Sequence, residues 1–315
     1  MTYQDSEGGK ACRVALLVNR NSANGDALAD DIEQAMEQRG YDVAACAHSN
    51  IDDCRDWLIA RATDSDVLAV AGGDGSLNAM LPALLKADKP LLAIPTGTAN
   101  DFAGLLGIPE QYEKAIDLLG EGKLVSVDVG TANDHYFLNA AHIGLAVAAH
   151  EALDSEEKAR LGFLSYPVSV LRAARDLPKF KLRVRGKGFS KKRRSVQVSV
   201  GNGGQFGGGW KVTSLAKIDD GKLDLCNVRP APGWRRPMHF MMALTGRHTE
   251  ADDIDHWQSP WFTVHTKPRL DVTADGEVVA KTPVRFDIKA GALNVFVPET
   301  APQEGESWNC SPTKK

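Results

Sequence analysis

The sequence predicts an α/β protein in two parts: an N-terminal three-layer α/β domain built on a parallel sheet, then a β-rich, sandwich-like domain. Three observations carry this. From Arg13, strand-like and helix-like segments alternate at the spacing of βαβ units, a pattern that covers both faces of a parallel sheet with helices. Val67, Leu68, Ala69 and Val70 are apolar without alternation, as a strand buried on both faces requires. Near residue 130 the pattern changes to short β-like runs separated by turn residues. The boundaries drawn from these changes are 12–130 for the α/β part, with 291–299 a candidate to complete it, and 131–290 for the β-rich part; 1–11 and 300–315 read as flexible polar tails.

Length and composition bound the function. A chain of 315 residues can bury two cores, and 43% apolar with 25% charged residues is ordinary for a globular protein. The net charge of −4 predicts no general attraction to nucleic acid. Met1 to Lys10 is polar with no apolar export segment, and no apolar run approaches the length of a membrane span, so a cytoplasmic protein is expected. Cys12, Cys46, Cys54, Cys226 and Cys310 are scattered without a CxxC pair and read as reduced, packed thiols.

In chain order, Val14 to Val18 is the first strand, ending in the polar turn Asn19 to Gly25. The helix that follows buries Leu28, Ile32, Ala35 and Met36 and stops at Gly40. Tyr41 to Ala47 is the second strand and Asp53 to Arg61 the second helix. After the strand at Val67 comes Gly72-Gly73-Asp74-Gly75-Ser76, then a helix whose Leu77, Met80, Leu81, Leu84 and Leu85 form one apolar stripe. Leu91 to Ile94 is a further buried strand opening into the polar loop Pro95 to Ala103, and Gln111 to Leu119 is the next helix. Strand-like runs then include Leu124 to Val129, Tyr136 to Ala140, Leu182 to Arg185, Val196 to Val200, Leu223 to Val228, Trp261 to Thr266, Arg269 to Thr273 and Val284 to Ile288, interrupted by a helical region from Ser155 to Asp176. The last apolar run, Ala292 to Val297, either closes the second part or returns to the first.

Four stretches carry candidate chemistry. Gly72, Gly73 and Gly75 let backbone approach a ligand, and the helix beyond them offers its N-terminal amides to an anion. Asp74 beside a phosphate repels it unless a cation intervenes or the carboxylate accepts a hydrogen bond, which argues for a magnesium nucleotide; the alternative is a glycine turn with Asp74 as a helix cap. Asp219-Asp220-Gly221 and Asp275-Gly276-Glu277 read as ordinary strand-connecting turns that also carry carboxylates. Lys179 to Arg194 holds nine basic residues and no acidic one, either a solvated hairpin or an edge drawn to an anionic bilayer.

Taken in order, the GGDGS loop with Leu77-Asn78, Pro95-Thr96-Gly97-Thr98-Ala99-Asn100-Asp101-Phe102-Ala103, Gly207-Gly208-Gly209, Asp219-Asp220-Gly221-Lys222-Leu223 and Asp275-Gly276-Glu277 resemble the signature of the diacylglycerol and lipid kinases, which include sphingosine and ceramide kinases. The resemblance runs from Val14 to Val297 and implies a nucleotide-binding α/β domain, like that of NAD kinases and diacylglycerol kinases, followed by a β-sandwich-like domain. It implies ATP phosphates against Gly72, Gly73, Asp74, Gly75, Ser76, Leu77 and Asn78, with Asn19, Asn21, Ser22, Gly25, His48 and Thr98 as further nucleotide contacts. It implies Mg²⁺ held by the Asp220 side chain and the carbonyls of Lys217 and Lys222, and Asp275 and Glu277 as catalytic carboxylates with Asp74 acting on the metal nucleotide. Arg20 stands where the family has Pro, His48 (beside Ser49) where it has Thr, Ser76 where it has Thr and Ala79 where it has Glu; the first two leave the adenine and ribose contacts open.

The expected function is ATP-dependent phosphorylation of a lipid hydroxyl, with Asp275 as base and Glu277 as its partner, or the two exchanged. The expected partner is a lipid at a membrane surface, contacted through Lys179 to Arg194, with no nucleic acid; a homodimer is left open. The rival readings are a soluble-substrate kinase of NAD kinase type and a silent nucleotide or lipid sensor.

Overall fold

The computed structural model describes residues 11–19, 25–46, 50–144, 179–203, 205–206, 210–211, 216–230 and 253–302. The expected contacts Asn21, Ser22 and His48, the helical region from Ser155 to Asp176 and the glycines at 207–209 lie outside them. Two compact units emerge, one running to Asp128 and resuming at Gly291, the other spanning Val129–Ala290.

The first unit begins β1 (Arg13–Val18), α1 (Gly25–Gln38), β2 (Asp42–Ala45), α2 (Ile51–Arg61), β3 (Val67–Gly72), α3 (Asp74–Ala87) and β4 (Leu91–Pro95). A short α4 (Asp101–Leu105) and α5 (Tyr112–Glu121) precede β5 (Lys123–Ala132), in which the first unit gives way to the second. Strands β2, β1, β3 and β4 are parallel neighbours in that order. All six residues of β3 and all five of β4 are buried, as their unbroken apolar runs demand. Ile32 and Met36 of α1, Leu58 of α2, Leu81 and Leu84 of α3 and Phe102 of α4 are fully buried around this sheet. Full burial of each such side chain is worth roughly 1.5–3 kcal/mol. Asn50 caps α2 by accepting the amides of Asp52 and Asp53, and Asp88 ends α3 in a left-handed conformation at φ 50°.

The second unit is antiparallel. Its strands are β6 (His135–Phe137), β7 (Ala140–Gly144), β8 (Phe180–Gly186), β9 (Phe189–Ser195), β10 (Gln197–Gly201), β11 (Gln205–Phe206), β12 (Trp210–Lys211), β13 (Leu223–Val228), β14 (Ile254–Ser259), β15 (Trp261–Lys267), β16 (Asp271–Ala274), β17 (Glu277–Lys281) and the start of β18 (Val284–Val297). One sheet runs β14-β13-β10-β7-β16-β17, and β18, β15, β8 and β9 are neighbours in a second, while β11 and β12 pair only with each other. The two larger sheets bury a common core: Phe137, Leu182, Val184, Phe262, Val264 and Phe286 from one side meet Ile143, Val198, Val200, Leu225 and Val272 from the other. Phe137 and Phe286 meet edge to face at 6.4 Å.

Where the sequence shows two apolar runs, Val284 to Ile288 and Ala292 to Val297, the chain forms the single strand β18. Its first half pairs with β15, and its last residues join the first unit, where Val295 lies in parallel register with Leu91 of β4. Gly291, at φ 56°, donates its amide to the buried carboxylate of Asp128 at 2.8 Å. Among the described residues no helix is long and apolar enough to cross a membrane.

Candidate active site

In the first unit, the C-terminal ends of β3 and β4 place two loops side by side, the edge at which open α/β sheets bind ligands. Gly73 is the N-cap of α3 and no side chain caps that helix, so its first amides are left to other acceptors. Gly73 and Gly97 stand almost back to back: a Cβ on Gly97 would lie 2.5 Å from the Gly73 Cα, and one on Gly72 would lie 2.4 Å from the Ser76 Cβ. Only glycine permits this approach. The Gly72 carbonyl accepts the Thr96 amide, tying the loops at their base.

Asp74 is the first residue of α3, and the cap it makes belongs to a different helix. Its Oδ2 accepts the Asp101 amide and its Oδ1 the Phe102 amide, both at 2.9 Å, so the carboxylate closes the N-terminus of α4. Asn100, in a left-handed conformation at φ 51°, accepts the Gly97 amide and donates to the Gly97 carbonyl, which fixes the second loop. Asn19, at the end of β1, donates from Nδ2 to the Ser76 Oγ at 2.9 Å. The structure thus brings Asn19, Gly72, Gly73, Asp74 and Ser76 together, with Gly75, Leu77 and Asn78 following in α3 and Thr98 exposed on the adjoining loop. Gly25, the first residue of α1, begins the helix after β1.

In the second unit, Asp275 and Glu277 do not share one face of an extended strand. Asp275 and Gly276 are the two central residues of a tight hairpin turn, at φ 43° and 91°, flanked by the pair Ala274 and Glu277. The turn reverses the chain, so strand alternation no longer relates the two carboxylates. The Asp275 carboxylate accepts three amides, those of Leu138 at 2.7 Å and of Asn139 and Ala140 at 3.0 Å each. It is a clamp on the segment leading into β7. Glu277 opens β17 with its side chain exposed.

The same end of this sheet carries polar residues that the sequence did not single out. The Asn139 carbonyl accepts the amides of Asn202 and Gly203, and the Asn202 Nδ2 donates to the Leu138 carbonyl. The Asn139 side chain is buried with no partner for its Oδ1 among the described residues. An asparagine inside the otherwise apolar stretch Tyr136 to Ala141 was the available signal.

Before β13, the Asp220 Oδ1 accepts the Lys222 amide at 3.0 Å, while Oδ2 lies 3.7 Å from the Lys222 Nζ. Four residues on, Asp224 is buried; its Oδ2 accepts from the Gln258 side chain, and Oδ1 has no partner among the described residues. Burial pushes the Asp224 carboxyl up to about 6, and the neighbouring Asp220 adds to the rise. The Lys222 ammonium is the positive group beside these carboxylates, and a hard cation held by the Asp220 carboxylate and loop carbonyls would add to it. Among the described residues no group of three or more His, Cys, Asp or Glu could hold a metal by side chains alone.

Residues 13–132 match the diacylglycerol kinase catalytic domain, and residues 139–297 match the YegS C-terminal NAD kinase beta sandwich-like domain. The chain is 32% identical over 251 residues to a probable lipid kinase YegS-like protein of Chromohalobacter salexigens, covering 77% of this chain and 80% of the relative. It is 30% identical over 303 residues to one of Pseudomonas fluorescens, covering 93% and 98%. A solved structure of a diacylglycerol kinase from Bacillus anthracis superposes with a TM-score of 0.75 at 25% identity, covering 91% of this chain and 96% of that one.

Proposed function

We propose a reaction for a chain that belongs to the family of lipid kinases joining a diacylglycerol kinase catalytic domain to a YegS-type sandwich domain: transfer of the γ-phosphate of ATP to the hydroxyl of a diacylglycerol-like lipid. The observation that carries the nucleotide half of this reading is the α3 N-terminus, which no side chain caps and which opens behind two glycines packed back to back. Uncapped helix amides with bare backbone beside them suit a polyphosphate, which needs several donors at close range. Asp74 acts here through position: by holding the amides of Asp101 and Phe102 it keeps the second loop against the first.

On the acceptor side, a lipid hydroxyl is a weak nucleophile until a base takes its proton. Asp275 has both oxygens engaged by backbone amides, so the role falls to Glu277. As the hydroxyl oxygen bonds to the γ-phosphorus and the bond to the β–γ bridging oxygen breaks, the proton passes to the Glu277 carboxylate and ADP leaves. Mg²⁺ enters with ATP as part of the substrate. A second Mg²⁺ at Asp220, with the carbonyls of Lys217 and Lys222, would neutralise the carboxylates around β13 and brace that loop.

Radiolabelled ATP offered with diacylglycerol, phosphatidylglycerol, sphingosine, ceramide and NAD tests the reading. Labelled diacylglycerol or a related lipid is expected, and Glu277→Gln should lower turnover by a factor on the order of 10²–10⁴ with ATP affinity kept. Labelled NAD with no labelled lipid would favour the soluble-substrate reading, and ATP binding with no product would favour a sensor.

A further inference from the structure

The outer face of the strands β18, β15, β8 and β9 carries an unusual arrangement of charge. On β8, Phe180, Leu182 and Val184 turn into the core, so Lys181, Arg183 and Arg185 stand exposed on the other face. Strand pairing extends them into rows. Lys181 lies between Lys267 of β15 and Arg194 of β9, and Arg183 lies between His265 and Lys192. In the third row Arg185 has Ser190 on one side and Thr263 on the other, and Thr263 pairs onward with Arg285 of β18. No acidic side chain stands in any of the three rows; the nearest, Asp287, lies one row beyond opposite Trp261 and pairs with Arg285 at 2.7 Å. Like charges directly opposite one another destabilise a sheet, and among the described residues Lys181, Arg183, Lys192, Arg194 and Lys267 have no carboxylate partner. The face is therefore held at a cost in stability, in a chain whose net charge is −4.

We propose that this face is the surface by which the protein docks on an anionic lipid bilayer. Its shape and composition favour a membrane over a nucleic acid: it is a multi-strand sheet surface rather than a groove-filling helix, and Trp261, partly exposed on the same face one row beyond, is the amphipathic ring suited to the headgroup layer. The choice of a bilayer rests on the lipid-kinase reading given above. The footprint differs from the linear basic segment. Lys191 and Arg193 belong to the opposite face, where Arg193 pairs with Asp255 and lies over Trp257, while Lys267, His265 and Arg285 come from strands far along the chain.

Vesicle sedimentation without ATP tests the proposal. The triple variant Lys181→Glu, Arg183→Glu, Lys192→Glu is compared with Arg61→Glu, Lys86→Glu, Lys114→Glu, which makes the same charge change on exposed residues of the first unit. Wild type is expected to sediment with phosphatidylglycerol-containing vesicles, weakening as salt rises, and not with phosphatidylcholine alone. The face variant should lose on the order of 100-fold in partition coefficient, at about one factor of five per cation, and the control should lose far less. Equal losses in both triples, or no loss in the face variant at an unchanged melting temperature, would overturn the proposal. So would tighter wild-type binding to duplex nucleic acid than to the vesicles. Turnover on a detergent-dispersed lipid, measured in parallel, separates this proposal from the kinase reading. A face variant that keeps turnover but leaves the vesicles supports docking. A wild type that binds vesicles but phosphorylates nothing overturns only the kinase reading.

Discussion

Replacing Asp275 by alanine sets the clamp reading against the base reading directly. The carboxylate accepts three backbone amides, and the variant leaves all three without that acceptor. A hydrogen bond to a charged group contributes roughly 1.5–3 kcal/mol, and three donors sharing one carboxylate do not add fully, so a loss of about 3–6 kcal/mol is expected. Alanine also has to adopt the left-handed backbone at φ 43°, which costs about 1 kcal/mol more. Set against typical stabilities of about 5–15 kcal/mol, this is a large share. Urea titration should show a strongly lowered midpoint, and hydrogen exchange should show lost protection at Leu138, Asn139 and Ala140. Asp275→Asn, which keeps an acceptor and tolerates the left-handed turn, should fall between. Glu277→Gln should leave midpoint and exchange unchanged while turnover collapses. If Asp275→Ala kept the wild-type midpoint and protection yet lost all turnover, Asp275 would be the base and the assignment to Glu277 would be wrong.

Further outcomes follow from other contacts. Gly97→Ala puts a Cβ 2.5 Å from the Gly73 Cα and 2.8 Å from the Asn100 Oδ1, so calorimetry should find ATP affinity lowered at least about 10-fold. Gly75→Ala meets nothing within 4 Å and should leave the fold intact, so unchanged ATP binding in both variants would refute the cradle. Burial pushes the His142 imidazole down to about 4 from its usual 6.5. The unfolded chain then binds the extra proton between those values, and stability should fall by about 3 kcal/mol as pH drops from 6.5 to 4. The difference between wild type and His142→Gln isolates this share, and parallel pH profiles would dismiss it. At Mg²⁺ a hundredfold above its dissociation constant, binding to the folded state should add about 2.7 kcal/mol, read as a rise in melting temperature. Asp220→Asn should abolish that rise, and an equal rise in the variant would place the cation elsewhere.

What the sequence made legible was local. The unalternated run at Val67 and the stripe from Leu77 specify β3 and α3, because burial on two faces or on one leaves its period in the residues. The Asp275-Gly276 pair is a strong hairpin signal, and the turn it forms separates two carboxylates that strand alternation alone would have put on one face. The tasks of Asp74 and Asp275 were hidden because each bonds to amides far away in the chain, at Asp101 and Phe102 and at Leu138 to Ala140. Alternation of Lys181, Arg183 and Arg185 with apolar residues was visible, but their cross-strand neighbours Lys267 and His265 depend on sheet order, which no local pattern encodes. Five-residue α4 is too short to show a helical period.

Strand β18 has a consequence for how the chain comes off the ribosome. Until residues 291–297 emerge, β4 has no partner on one side, and its apolar Leu91 to Ile94 would present a bare parallel edge. The first unit, although made first, must wait for residues 291–297 before its sheet is finished. Contacts so distant in sequence form late and slowly, leaving a nascent chain whose unprotected edge invites pairing with other chains. A truncation just before Gly291 would make that transient hazard permanent, and it should yield aggregates rather than a smaller soluble nucleotide-binding module.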